Sequence, residues 1–100
     1  MQMNVSFKKM DSSEALRDYT FEKFSGLKEI LKNFTQINVT FWMYEKKKVA
    51  DIKFYDDGDE FFAKAHSDDF YKSVNLLDSK IRAQIMKRNN KKNRPTRTAV

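Results

Sequence analysis

Between residues 37 and 65 the chain alternates apolar and polar side chains through three runs. This period of two commits it to a sheet with one apolar face that another element must cover. In QINVTFWMY the inward set is Ile37, Val39, Phe41 and Met43, which leaves Asn38, Thr40, Trp42 and Tyr44 on the opposite face. A polar EKKK connection leads to VADIKFY, with Ala50, Ile52 and Phe54 inward. The DDGD stretch at 56–59 supplies the Asp-Gly pair that suits the positive-φ positions of a tight hairpin, and EFFAKAH leaves it with Phe61, Ala63 and Ala65 aligned. The three runs predict an antiparallel meander. A further alternation at the start, Met1, Met3, Val5 and Phe7, predicts another half-buried strand.

Two stretches change period and supply the cover. In MDSSEALRDYTFEKFSGLKEILKNF, Leu16, Tyr19, Leu27, Ile30 and Leu31 share one arc of a helix, with Ala15, Thr20 and Phe24 at its margins, which predicts about five turns. Asp11 followed by Glu14 resembles a capping box, with Ser12 and Ser13 as alternative caps and Met10 as a staple. The second helix, capped by Ser67 or Asp68, buries Phe70, Val74, Leu77, Ile81 and Ile85. Strand, helix, three strands, helix is consistent with a two-layer α+β sandwich, both helices lying side by side on one face of a four-stranded sheet. We expect one domain over residues 1–92 and a flexible basic tail over 93–100.

The second helix carries the most one-sided charge. Residues 79–100 hold eight basic side chains and no acid, whereas the first 78 residues hold 12 basic and 14 acidic ones. Such asymmetry is the footprint of a polyanion binder, nucleic acid first and anionic membrane second. At about 100° per residue, Lys80, Lys87 and Lys91 fall in one stripe with Gln84 beside it, and Arg88 continues the buried arc past the end of the core. A solvated face whose basic last turns complement the helix dipole is the plain alternative, but it leaves the absence of i,i+4 acids without a reason. Lys23 falls near the middle of the first helix's apolar arc, where its stem can lie along the core, and it could line a groove shared with the ridge of the second helix. Arg17 and Lys28 are further basic candidates on that helix.

A competing surface is the outward sheet face, where Trp42, Tyr44, Tyr55 and Phe62 are interleaved with Lys53, Lys64 and His66. Rings among lysines suit single-stranded RNA or a protein partner, while cross-strand aromatic pairing is the structural alternative. Catalysis finds no candidate groups: there is one histidine, no Gly-rich phosphate loop and no cysteine, and turn chemistry explains the cluster Asp56, Asp57 and Asp59 better than a cation. We expect neither cofactor, metal nor small-molecule substrate. The lack of cysteine fits a reducing compartment, no run reaches the roughly 18 apolar residues of a membrane span, and the N-terminus is too polar for a secretory signal. A soluble cytoplasmic protein is expected.

MQMNV, SEALRDY with EKFSGLKEIL, VADIKF and above all DDFYKSVNLLDSKIRAQIMK resemble the ribosome hibernation promoting factors, over about residues 1 to 92. The resemblance implies a β-α-β-β-β-α fold similar to double-stranded RNA-binding domains. It also implies binding to the small ribosomal subunit at the decoding region, in the channel of mRNA and tRNA anticodon ends, which silences idle ribosomes under stress. Lys23, Lys80, Arg82, Lys87 and Lys91 match positions where that family turns basic residues toward rRNA; Lys28 and Arg88 complete the candidate set. Gly26 and Glu29 stand where that family often carries lysine, which implies either that Lys28 offsets the deficit or that the first helix contributes less. The length corresponds to the short form, a monomer off the ribosome that would pair ribosomes only with a partner protein.

Overall fold

A computed structural model describes residues 2–93. The chain runs β1 (Met3–Phe7), α1 (Glu14–Phe24), a 3-10 turn (Ser25–Glu29), β2 (Ile37–Tyr44), β3 (Lys47–Asp56), β4 (Asp59–Ser67) and α2 (Phe70–Asn93). The four strands form one sheet in the order β1-β2-β3-β4, with β1 parallel to β2 and the other pairs antiparallel. This is the expected β-α-β-β-β-α sandwich. Met1 and the greater part of the expected tail, from residue 94, lie outside the described residues.

Alternation decides which strand residues meet the helices. Ile37, Val39, Phe41, Ala50, Ile52, Phe54, Phe61, Ala63 and Ala65 are buried against Leu16, Phe24, Leu27, Val74, Leu77, Ile81 and Ile85. Each large apolar side chain so buried contributes about 1.5–3 kcal/mol. Met43 departs from the expected inward set and is half exposed, because β2 continues past the last β1 pair, Phe7 with Phe41. The Phe41 ring already meets Phe70, the first residue of α2, edge-on at 5.6 Å. Both hairpin turns are two residues long. Asp57 and Gly58 both take positive φ, as the Asp-Gly pair predicts. The other turn is Glu45–Lys46 alone, with Glu45 at φ 58°, so β3 begins at Lys47 inside the stretch read as a connection.

The helices differ from expectation at their ends. Ser13, one of the two alternatives to Asp11, caps α1 and accepts the Leu16 N–H at 3.1 Å. α1 stops at Phe24 rather than running five turns, because Ser25 and Gly26 are weak helix formers and the Ser25 hydroxyl bonds back to the Glu22 carbonyl. The 3-10 turn that follows still delivers Leu27 to the core. Thr20 is buried too, its hydroxyl satisfied by the Leu16 carbonyl at 2.7 Å. The buried line of α1 is therefore Leu16, Thr20 and Phe24, and Lys23 lies at its half-buried flank instead of its centre. Asp69, not Ser67 or Asp68, accepts the Tyr71 N–H at the start of α2, while Ser67 takes the N–H of Asp69. At its other end α2 continues through Asn93, three residues into the polar stretch after Asn90.

One buried ion pair ties these layers together. Asp56 ends β3 on the inward side and is fully buried. One carboxylate oxygen accepts the N–H groups of Lys32 and Asn33, at 2.9 and 2.8 Å, and the other meets the Arg88 guanidinium at 2.6 Å. Arg88 also donates to the Asp56 carbonyl and the Asp59 carboxylate, and its guanidinium lies 5.0 Å from the Phe61 ring centre. Removing one partner of such a pair leaves a buried uncompensated charge, at a cost of about 3–5 kcal/mol. Arg88→Ala is accordingly expected to lower unfolding free energy by about that amount in urea titrations. Arg88→Lys should recover only part of it, since a lysine lacks the planar fork. A loss below about 1 kcal/mol would place the pair among weak surface contacts.

Candidate nucleic-acid interface

Helical geometry and contacts divide the basic residues of α2 between two flanks. Lys80, Lys87 and Lys91 are exposed on the flank turned to β4 and span about 16 Å of helix at 1.5 Å per residue. Here the Lys80 ammonium donates to the Lys64 carbonyl at 2.9 Å and Gln84 donates to the Phe62 carbonyl at 2.8 Å. Both acceptors belong to the outer edge of β4, so α2 covers part of a strand edge that would otherwise be unpaired. An ammonium has three donors, and Lys80 keeps two for another acceptor. Beyond Gln84, Lys87 and Lys91 line a groove with Glu60, Phe61 and Arg88, in which the Glu60 carboxylate is paired with Lys53 at 3.5 Å.

Arg82 lies about 160° around α2 from Lys80, on the flank that meets α1. Tyr19 of α1 stacks edge-on with Tyr71 and donates to Asn75, which fixes that flank as the seam between the helices. Lys23 follows Tyr19 by one turn on the same side of α1. The Arg82 guanidinium approaches Gly26 so closely that a β-carbon there would stand 3.2 Å from it, and Asp78 pairs with Arg82 at 2.9 Å. Lys23 and Arg82 therefore share the seam, and the Lys80, Lys87 and Lys91 ridge does not: the single groove expected from sequence is two cationic strips, one at the α1–α2 seam and one on the opposite flank of α2. Lys28 is exposed on the 3-10 turn. Arg17 lies over the Phe7 ring at 5.4 Å.

Arg88 is corrected more sharply. Expected as a phosphate contact, it is 10% exposed with its guanidinium committed to Asp56 and Asp59, so its charge is already partnered within the fold although it lines the groove. The sequence held a signal for this: alternation along β3 places Asp56 on the apolar face, and an inward carboxylate requires a partner of opposite charge.

The outward sheet face carries Trp42, Tyr44, Tyr55 and Phe62 as expected, with Tyr44 61% exposed and Trp42 half-buried. The ring pairs among the described residues, such as Phe7 with Phe41 and Phe54 with Phe61, do not include these four side chains. Cross-strand aromatic pairing thus does not explain them. Asp51 sits among the outward residues, in register with Thr40 and Lys64. Burial raises its pKa above the ordinary 3.8, against the opposing fields of Lys8 and Lys64 and a backbone hydrogen bond from Thr40. A raised carboxyl pKa contributes stability that is present below 3.8 and lost as pH rises through the folded value. Asp51→Asn is therefore expected to stabilise the fold at pH ~7, with the gain shrinking to nothing in acid; urea midpoints across pH test this, and a gain that grew in acid would contradict it.

Among the described residues no helix is long and apolar enough to cross a membrane. The family of Sigma 54 modulation protein / S30EA ribosomal protein matches residues 3–93. A ribosome hibernation promoting factor from Azotobacter vinelandii is 32% identical over 91 residues, covering 91% of this chain and 85% of that protein. The factor of the same name from Escherichia coli K12 is 26% identical, over 91% of this chain and 96% of that protein. A ribosomal subunit interface protein from Coxiella burnetii superposes with a TM-score of 0.78 at 29% identity, over 89% of this chain and 98% of that one. The N-terminal domain of Thermus thermophilus Protein Y shares the fold, with a TM-score of 0.77 at 18% identity over 87% of this chain and 98% of that one. By a match that runs from β1 to the end of α2, this chain belongs to the Sigma 54 modulation protein / S30EA ribosomal protein family, with the ribosome hibernation promoting factors.

Proposed function

We propose that this protein is a non-enzymatic hibernation factor that binds rRNA of the small ribosomal subunit at the decoding region and blocks mRNA and tRNA by occupancy. The observation that carries the reading is the ridge of Lys80, Lys87 and Lys91, three exposed ammonium groups along one acid-free stripe of α2. The names borne by its relatives, ribosome hibernation promoting factor and ribosomal subunit interface protein, support the choice of partner.

The second strip gives the surface a shape. Arg82, with Lys23 of α1 beside it in the seam, occupies one shoulder of α2 and the ridge the other, with the exposed side chains of Ala83 and Met86 between them. A helix charged on both shoulders suits a groove between two phosphate backbones better than a flat duplex face. Lys28, exposed on the 3-10 turn, is a further basic contact in this reading. The ridge contributes more, because Asp78 already neutralises part of the Arg82 charge. Such binding reads backbone and shape rather than base sequence.

Each neutralised phosphate adds about 0.7–0.9 to the log–log salt slope. In sucrose-gradient co-sedimentation with small subunits, the Lys80, Lys87, Lys91 triple-alanine variant is expected to be lost from the subunit peak at near-physiological salt and to lower the slope by about 2–3. Co-sedimentation equal to that of the parent protein would reject the ridge.

A further inference from the structure

The Trp42 end of the outward sheet face is left unused by the α2 ridge. Trp42 stands between two depressions. One, of about 630 Å³, is lined by Lys8, Lys9, Trp42 and Met43. The other, of about 310 Å³, is lined by Trp42, Tyr44, Lys47, Val49, Lys64 and His66. The Lys8 ammonium lies 5.2 Å from the Trp42 ring centre, and among the described residues the ring has no aromatic partner. Trp42, Val49 and His66 lie in one register row across β2, β3 and β4, roughly 10 Å wide at the usual strand spacing.

Charge selects the occupant. Lys8, Lys9, Lys47 and Lys64 surround the ring, opposed by Asp51 beside Lys64 and by Glu45 in the β2–β3 turn. Lys9 has a left-handed backbone at φ 52°, where glycine is favoured, yet the chain carries a cation there. An aromatic plane with lysines on both sides provides a π-face for a base and ammonium groups for the phosphates that flank it. A protein partner of ordinary composition would need apolar continuity, which Lys47, Lys64 and His66 interrupt. We infer that Trp42 and Tyr44 form a second RNA site, a stacking platform for single-stranded RNA, with Lys8, Lys9 and Lys64 on its phosphates. The site is separate from the α2 ridge and lies around the β4 edge from it, since Lys64 projects outward while its carbonyl receives Lys80.

Trp42 is the only tryptophan, so its emission reports this site without a label. The probe is a mixed-sequence single-stranded RNA of about eight nucleotides, within the range of such platforms. Saturable quenching is expected in the parent protein and equally in the Lys80, Lys87, Lys91 triple-alanine variant. Lys9→Gly with Lys64→Ala removes two cations, at positions where the backbone tolerates the change, and should weaken binding about tenfold and lower the salt slope by about 1.4. As a second readout, dye-labelled RNA should bind the triple-alanine protein about tenfold more weakly once Trp42→Leu is added, as loss of one stacked base implies. Absence of quenching, quenching lost in the triple-alanine variant, or quenching matched by polyglutamate would each overturn the inference, the last by showing a surface that takes acidic chains regardless of bases.

Discussion

Asp56 gives its two carboxylate oxygens to separate parts of the chain, the segment entering β2 and the far end of α2, while its own backbone closes the β3–β4 hairpin. Hydrophobic burial alone would leave these pieces free to slide, since apolar contact is not directional. The buried pair sets their registration, and Asn89 adds a bond from α2 to the Ile30 carbonyl beside it. A charge with no exposure is tolerable here because both of its oxygens are partnered: two backbone donors on one, a guanidinium on the other and a ring beneath the cation. The site and the fold meet at this point, since the turn of α2 that holds Arg88 also carries Lys87 and leads to Lys91.

The same helix closes the sheet. β4 is an edge strand, and two of its outer carbonyls receive Lys80 and Gln84. Covering a strand edge with side chains from a packed helix lowers the hazard of edge-to-edge association. Lys80 therefore serves two ends, with one donor on the strand and the others exposed. The basic stripe is thus registered against the sheet by hydrogen bonds as well as by the core beneath it.

Much of the architecture was legible because its signals are periodic. Alternation through Ile37, Val39 and Phe41 and three-four-four spacing through Val74, Leu77, Ile81 and Ile85 each report which side of an element is dry, and those residues are buried. What the spacing could not show is where a helix tightens. Leu27 and Leu31 keep helical intervals from Leu16 although the backbone passes through a 3-10 turn, and only Ser25 and Gly26 hint at it. The candidate site was legible in composition and only partly in grouping. Lys80, Lys87 and Lys91 share a face because they share a helix, whereas the company of Lys23 depends on which flank of α2 meets α1. Tyr19, Tyr71 and Asn75 settle that through contacts 52 to 56 residues apart in sequence, beyond the reach of any local period. Arg88 was placed on the correct arc and given the wrong partner, because its carboxylate lies 32 residues away across a hairpin.

Beyond Ile85, the last fully buried residue among those whose burial is described, α2 continues for eight more, held down by Arg88 and Asn89. Lys87 and Lys91 thus stand on a stiff rod whose backbone order is set during folding rather than at docking. A disordered basic arm of equal charge would surrender roughly 1–2 kcal/mol of backbone freedom per residue each time it settled on a polyanion. Here only the lysine stems have freedom left to lose, so a modest number of cations can hold a large partner.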